Sequence, residues 1–222
     1  MTTGDGRLLY IGEKNISSWS MRGWLALHVK GIPFEERTIE LRLDKDRRQR
    51  RSVSPTGKVP VLHDADQIVP DSLAIIEYLE EAFPPPAYPA LWPPDRGERA
   101  RARWLACAMH AGFMALREGM SFNLCFVPQR PKPSAAALDE AVEMLRLFEE
   151  ALARNRSAGP FLFGEFGGVD AMYAPAVVRL TSFDVPAGAT PRAAEYLRAV
   201  LAHPPVARWL EEARSLPPRE TY

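Results

Sequence analysis

Two short stretches of this 222-residue chain carry groups able to hold a small polar ligand. The first is Ser54-Pro55-Thr56-Gly57-Lys58-Val59-Pro60-Val61-Leu62. A Val-Pro bond set between a Pro-Thr-Gly turn and a β-branched strand is where a cis peptide can turn a backbone N–H and C=O outward, as a docking edge for a peptide. The cis form is a minority, about 5–6% of X-Pro bonds in folded proteins, so the pattern has meaning only in company. The second stretch supplies it: Asp71-Ser72 precedes Leu73, Ala74, Ile75, Ile76, Tyr78 and Leu79, with Glu77 on the polar side. A helix start there presents free N–H groups and partial positive charge, so a carboxylate and a hydroxyl beside it can hold one end of a zwitterion. Taken alone, Ser72 reads as an N-cap.

The elements that must position these groups follow from periodicity. Arg7 to Gly12, Pro33 to Thr38, Val59 to His63 and Gln67 to Val69 read as strands, and helical segments fall near 19–30, 44–51 and 72–82. Six prolines in the twelve residues from Phe83 to Pro94 form a semi-rigid stretch that neither helix nor sheet absorbs. The predicted division is therefore 1–83, a linker over 84–95, and 96–222. Beyond the linker nothing reads as a strand. Arg99 to Met120 sets Trp104, Leu105, Ala108, Met109, Gly112, Ala115 and Leu116 on one side, and Leu138, Ala141, Leu145, Phe148 and Leu152 form a second stripe. Asp170–Leu180, Pro191–Ala202 and Val206–Ala213 complete about five helices. Pro175 reads as an interruption or kink.

Together SPTGKVPVL and PDSLAIIEYLEE, in this order and spacing, closely resemble the glutathione-contacting half of the glutathione transferase family. The resemblance implies an α/β plus all-α fold, a thioredoxin-like βαβαββα domain followed by an all-helical domain. It extends, more weakly, over essentially the whole chain. It implies glutathione as co-substrate, contacted by Lys58, Val59, Asp71 and Ser72, and a thiol-activating hydroxyl just before the first helix. Laying the family's Ser-Pro-aromatic-small-aliphatic-Arg pattern on Ser17-Ser18-Trp19-Ser20-Met21-Arg22 selects Ser17 as the catalytic residue. Ser18 stands where many relatives have proline, so a shift of one residue would present Ser18 instead. Serines here also cap helices.

The chemistry asked of Ser17 is modest. A thiol of pKa near ~8.5 is only a few per cent thiolate at neutral pH, and a hydrogen bond donated to sulfur stabilises the anion. Lowering the pKa by ~2 units takes about 2.7 kcal/mol. A charge-assisted hydrogen bond supplies ~1.5–3 kcal/mol and a helix N-terminus ~0.3–1 kcal/mol. The resemblance further points to Lys45, in the basic tract after the second strand, as a partner for a glutathione carboxylate; the same tract reads as a solvated surface helix. It places the acceptor site between the serine loop and the first long helix of the second domain, where Trp19, Met109, Phe113 and Met114 are candidates to line it. Each also reads as core.

Composition narrows the alternatives. Lys and Arg total 28 against 28 for Asp and Glu, a balance that argues against nucleic acid or an anionic membrane as the main partner. Cys107 and Cys125 are too few for a disulfide framework and, in helical apolar surroundings, read as buried free thiols. His28, His63, His110 and His203 form no ligand pattern and read as structural or exposed; no metal is expected. Without an apolar leader or a run of transmembrane length, the expectation is a cytoplasmic protein. Family resemblance, with small residues Ala108, Ala111, Gly112 and Ala115, suggests a homodimer. The function expected is activation of glutathione for attack on a small electrophile, in conjugation, isomerisation or dehalogenation. A transferase fold that binds glutathione without useful turnover is the alternative; a disulfide reductase would want cysteine at the serine loop.

Overall fold

A computed structural model describes residues 6–41, 44–155, 157–187 and 190–218. The first half is a βαβ unit followed by a ββα unit: β1 (Leu8–Ile11), α1 (Ser18–Lys30), β2 (Glu35–Thr38), α2 (Asp44–Val53), β3 (Val61–Asp64), β4 (Gln67–Pro70) and α3 (Ser72–Ala82). The strands form one sheet in the order β2-β1-β3-β4. β1 and β2 are parallel, with Leu8 opposite Glu35, whereas β3 runs antiparallel to both neighbours, with Leu62 opposite Leu9 and Val69. Helix α1 stops where Gly31 takes a left-handed φ of 67° and returns its N–H to His28 and Leu27, a conformation that costs glycine little.

Both strands predicted to begin at or beside proline begin later. β2 starts at Glu35 and β3 at Val61, because Pro33 and Pro60 have no N–H to give a ladder. The Val59–Pro60 peptide is cis. Residues 84–95 form no helix or strand, yet they are anchored: Leu91 N–H donates to Glu80 at 2.9 Å and Gly168 N–H to Leu91 O at 2.7 Å. Glu80 also pairs with the fully buried Lys30 ammonium at 2.6 Å.

The second half is helical: α4 (Arg96–Ala111), α5 (Met114–Gly119), a 3-10 turn (Phe122–Phe126), α6 (Ala135–Arg154), α7 (Gly168–Ser182), α8 (Pro191–Ala202) and α9 (Pro204–Ser215). The run predicted as one helix from Arg99 to Met120 is two. Gly112 is extended (φ −107°, ψ −167°) and Phe113 left-handed (φ 58°), which turns the chain before α5. The buried side of α4 is Ala102, Leu105, Ala106 and Met109, so Trp104, expected on it, is 57% exposed. Cys107 is exposed for the same reason, contrary to expectation; Cys125 is buried.

Helix α7 is buried along nearly all its length and runs through Pro175 as one element rather than breaking there. It packs against α1, α3 and α4. At its start a Cβ on Gly168 would lie 2.8 Å from Ile76 Cγ2 and 3.2 Å from Trp92, so only glycine allows the two halves to close here. Asp170 accepts from Gly167 N–H at 2.9 Å and Leu162 N–H at 3.2 Å.

Candidate functional site

The loop from Gly12 to Ser17 leads out of β1 and is packed too tightly for side chains to wander: a Cβ on Gly12 would fall 2.9 Å from Ser17 Cβ and closer still to Leu41. Ser17 caps α1, and its Oγ accepts from Ser20 N–H at 3.3 Å. The Ser17 and Ser20 hydroxyl oxygens lie 2.7 Å apart, and Gly12 N–H donates to Ser20 Oγ at 3.0 Å. Gly12 thus fills an acceptor position of Ser20, and Ser20 O–H can donate onward to Ser17 Oγ. That arrangement saturates Ser17 as an acceptor and leaves its own proton free for an outside anion. Hydrogen bonds aligned head to tail polarise one another. Ser18, next along, accepts from Arg179 Nη2 at 3.2 Å and so faces α7. Ser17 and Ser18 are both largely buried, at 5% and 7% exposed.

From below, α9 grips the same loop. Trp209 Nε1 donates to Lys14 O at 3.1 Å, and Asn15 Nδ2 to Pro217 O at 2.8 Å. The Lys14 ammonium, buried against the Trp24 and Trp209 rings, pairs with Glu36 at 2.8 Å and with Glu212. Burial, with Arg208 and Lys14 nearby, pushes the neighbouring His28 down to about 4.

Asp71 N–H donates to Pro60 O at 3.3 Å, joining the two stretches expected to hold the ligand. Asp71, not Ser72, is the cap of α3: at φ 80° its Oδ1 accepts from Leu73 N–H at 2.8 Å and Ala74 N–H at 3.3 Å. Ser72 therefore becomes the first helical residue, fully buried, its hydroxyl turned to Met172 Sδ at 3.9 Å. Val59 is half-buried and Lys58 exposed. Lys45 lies in α2, and its side chain is outside the described residues.

His110 crosses from α4 to meet Asp71 Oδ2 at 3.4 Å and stands edge-on to the Trp19 ring at 5.2 Å. Read from sequence as structural or exposed, it joins the two halves at the site. Trp19 is half-buried, with the Arg22 guanidinium 4.1 Å and that of Arg117 4.9 Å from its ring centre. Of the predicted acceptor-lining residues, Trp19 and Phe113 keep partial exposure and Met114 is 52% exposed. Met109 is fully buried on the inward side of α4, a core residue and not a lining one. Ser20, Arg22, Arg117, Arg179 and His110 were not singled out by sequence. Only Ser20 had a local signal, standing three residues after the capping serine, where a side chain can reach the cap. Among the described residues no cluster of His, Cys, Asp and Glu could hold a metal ion, and no helix is long and apolar enough to cross a membrane.

A four-stranded mixed sheet with its cis-proline edge, joined to a helical half through α7, defines a two-domain transferase architecture. Residues 16–82 match the glutathione S-transferase N-terminal domain and residues 100–212 the C-terminal domain. The chain belongs to the glutathione S-transferase family. It is 33% identical over 109 residues to a probable maleylacetoacetate isomerase of Caenorhabditis elegans, a match that spans 49% of each protein, so about half the length of that relative. Among solved structures, a glutathione transferase homolog from Burkholderia with bound glutathione matches at TM-score 0.69 and 28% identity, covering 95% of this chain and 98% of that one. A maleyl pyruvate isomerase, described as a bacterial glutathione S-transferase of the Zeta class, matches at TM-score 0.68 and 25% identity over 91% of this chain and 95% of that one.

Proposed function

We propose that the protein is a glutathione transferase in which Ser17 donates its proton to the glutathione sulfur, holding it as thiolate for attack on a small electrophile. The observation that carries this reading is the contact set of Gly12 N–H, Ser20 hydroxyl and Ser17 hydroxyl at a helix N-terminus; with Ser20 donating to Ser17, the Ser17 proton is left for the sulfur. Glutathione lies with its peptide backbone along Val59 beside the cis Pro60 and its γ-glutamyl end at Asp71 and the start of α3. Lys58 and Lys45 face its outer carboxylates. Ser72, with its hydroxyl on Met172, takes part through the helix start. The acceptor enters between the serine loop and α4–α5, against Trp19 and Phe113. The reaction is conjugation, isomerisation or dehalogenation, and the relatives named isomerases support testing the second first.

The same reading divides the chain at 84–95, pairs it as a homodimer and places it in the cytoplasm. Calorimetric titration with glutathione, followed by a panel of electrophiles at fixed glutathione, tests it. The expected result is saturable glutathione binding and thiol consumption, or catalytic isomerisation, with at least one electrophile. Binding without turnover on any of them would overturn the enzymatic reading and leave a glutathione-binding protein.

A further inference from the structure

Lys14 lies in the serine loop between β1 and α1, yet its side chain is only 8% exposed. The ammonium stands 5.1 Å from the centre of the Trp24 ring and 5.3 Å from that of Trp209. It pairs with Glu36 of β2 at 2.8 Å and with Glu212 of α9. Each carboxylate is engaged a second time: Glu36 accepts from Trp24 Nε1 at 2.6 Å, and Glu212 from Arg208 Nε at 2.8 Å. The Lys14 carbonyl is taken as well, by Trp209 Nε1 at 3.1 Å. One residue of the loop is thus held at side chain and backbone by α1, β2 and α9 together. The residue before it, Glu13, gives its carbonyl to Ser17 N–H at 2.8 Å and to Ile16 N–H at 2.9 Å, and its carboxylate accepts from Leu41 N–H at 3.0 Å. A line of contacts therefore runs from α9 through Lys14 and Glu13 to the Ser17 amide.

Packing alone does not ask for an ammonium at this position. Taking an ion out of water is costly, and replacing a buried ion pair with an apolar side chain of similar volume is often neutral or stabilising. A methionine would cover both indoles. What the charge adds is direction: the ammonium is fixed between carboxylates on two separate elements, so the loop is held in one register against both. Such a constraint matters where a hydroxyl must meet a reacting atom, because a misplacement of about 1 Å can cost as much as a hundredfold in rate. Building on the transferase reading above, we infer that Lys14 is a positioning residue, which with Trp209 and Glu212 of α9 sets the Ser17 hydroxyl against the glutathione sulfur. The last helix of the chain is thereby coupled to its first loop.

The test reads the thiolate absorbance of bound glutathione against pH in single and double variants. Lys14→Met and Trp209→Phe each raise the midpoint by roughly 0.4–1 unit, the size of one hydrogen bond, while glutathione affinity measured by calorimetry stays within about twofold. In a Ser17→Ala background neither substitution moves the midpoint further, which separates a residue acting through Ser17 from one whose loss loosens the fold at large. Amide hydrogen exchange supplies a readout that needs no glutathione: the Gly12 and Ser17 amides exchange faster in both variants, and those of α7 do not. If Lys14→Met fails to fold, Trp209→Phe decides by the same criteria. A wild-type midpoint in both variants, a shift of the same size in the Ser17→Ala background, or unchanged exchange at Gly12 and Ser17 would each overturn the proposal. If the wild type binds no glutathione, or Ser17→Ala leaves the midpoint where it was, it is the transferase reading that fails, and the exchange measurement decides separately whether Lys14 holds the loop.

Discussion

A hydroxyl is a poor acid, and what Ser17 can do depends on which of its hydrogen bonds it donates. In the proposed reading the Ser20 amide and hydroxyl both donate to Ser17 Oγ, and its own proton is turned toward the outside. Replacing Ser20 with alanine removes that orientation while leaving Ser17 in place. We expect kcat/KM to fall roughly three- to tenfold, from loss of ~0.5–1.5 kcal/mol for one neutral hydrogen bond, with Ser18→Ala costing less because its partner is Arg179. Steady-state kinetics on the pair check the order; a larger loss in Ser18→Ala would move the role to Ser18. Asp71 caps α3 and, in the proposed reading, also meets the ligand. Asp71→Ala should lower stability by about 1 kcal/mol through the lost cap and glutathione affinity by about tenfold. Chemical denaturation and calorimetry separate the two effects, and an unchanged affinity would remove Asp71 from the site.

At the scale of elements, the start of α7 makes a pH prediction. Burial holds the Asp170 carboxyl up at about 6, above its ordinary 3.8, despite two backbone N–H donors that favour the anion. A carboxyl raised on folding is favoured in its neutral form, so its contribution is best below about pH 4, declines as pH rises through the folded value and levels off above it. The decline amounts to about 3 kcal/mol. Urea unfolding followed from about pH 4 to 7 should show this slope in the wild type and not in Asp170→Asn; identical slopes would contradict it.

Elements also show what the sequence makes legible. The strands, α1, α3 and the cis-proline edge follow from turn residues, β-branched runs and short periodicities, all local. The break at Gly112–Phe113 does not, because a glycine inside a helix costs only about 1 kcal/mol and tertiary packing decides whether the helix continues. Trp104 was misplaced by a small error in helix phase, and Cys107 because apolar neighbours in sequence do not tell which side of the helix is buried. Arg22 reads locally as the polar face of α1, and its burial comes from helices far along the chain.

For the whole molecule, the candidate site lies where the two halves meet: Asp71 with His110, Ser18 with Arg179, and the serine loop clamped by α9. Ile68, Trp104 and Val142 are exposed apolar surface, which the proposed dimer can cover. Sedimentation at micromolar concentration should give a species about twice the chain mass; a clean 24.8 kDa species would reject the dimer.

The acidity of the bound glutathione thiol depends on all three scales together. Its thiolate absorbance, titrated against pH in the wild type and in Ser17→Ala, is the most direct measurement of what Ser17 does. The wild-type midpoint should lie ~2 units below the free thiol's ~8.5, and Ser17→Ala should return it toward that value with glutathione still bound. The same depressed midpoint in both proteins would show that the hydroxyl of Ser17 does not hold the thiolate.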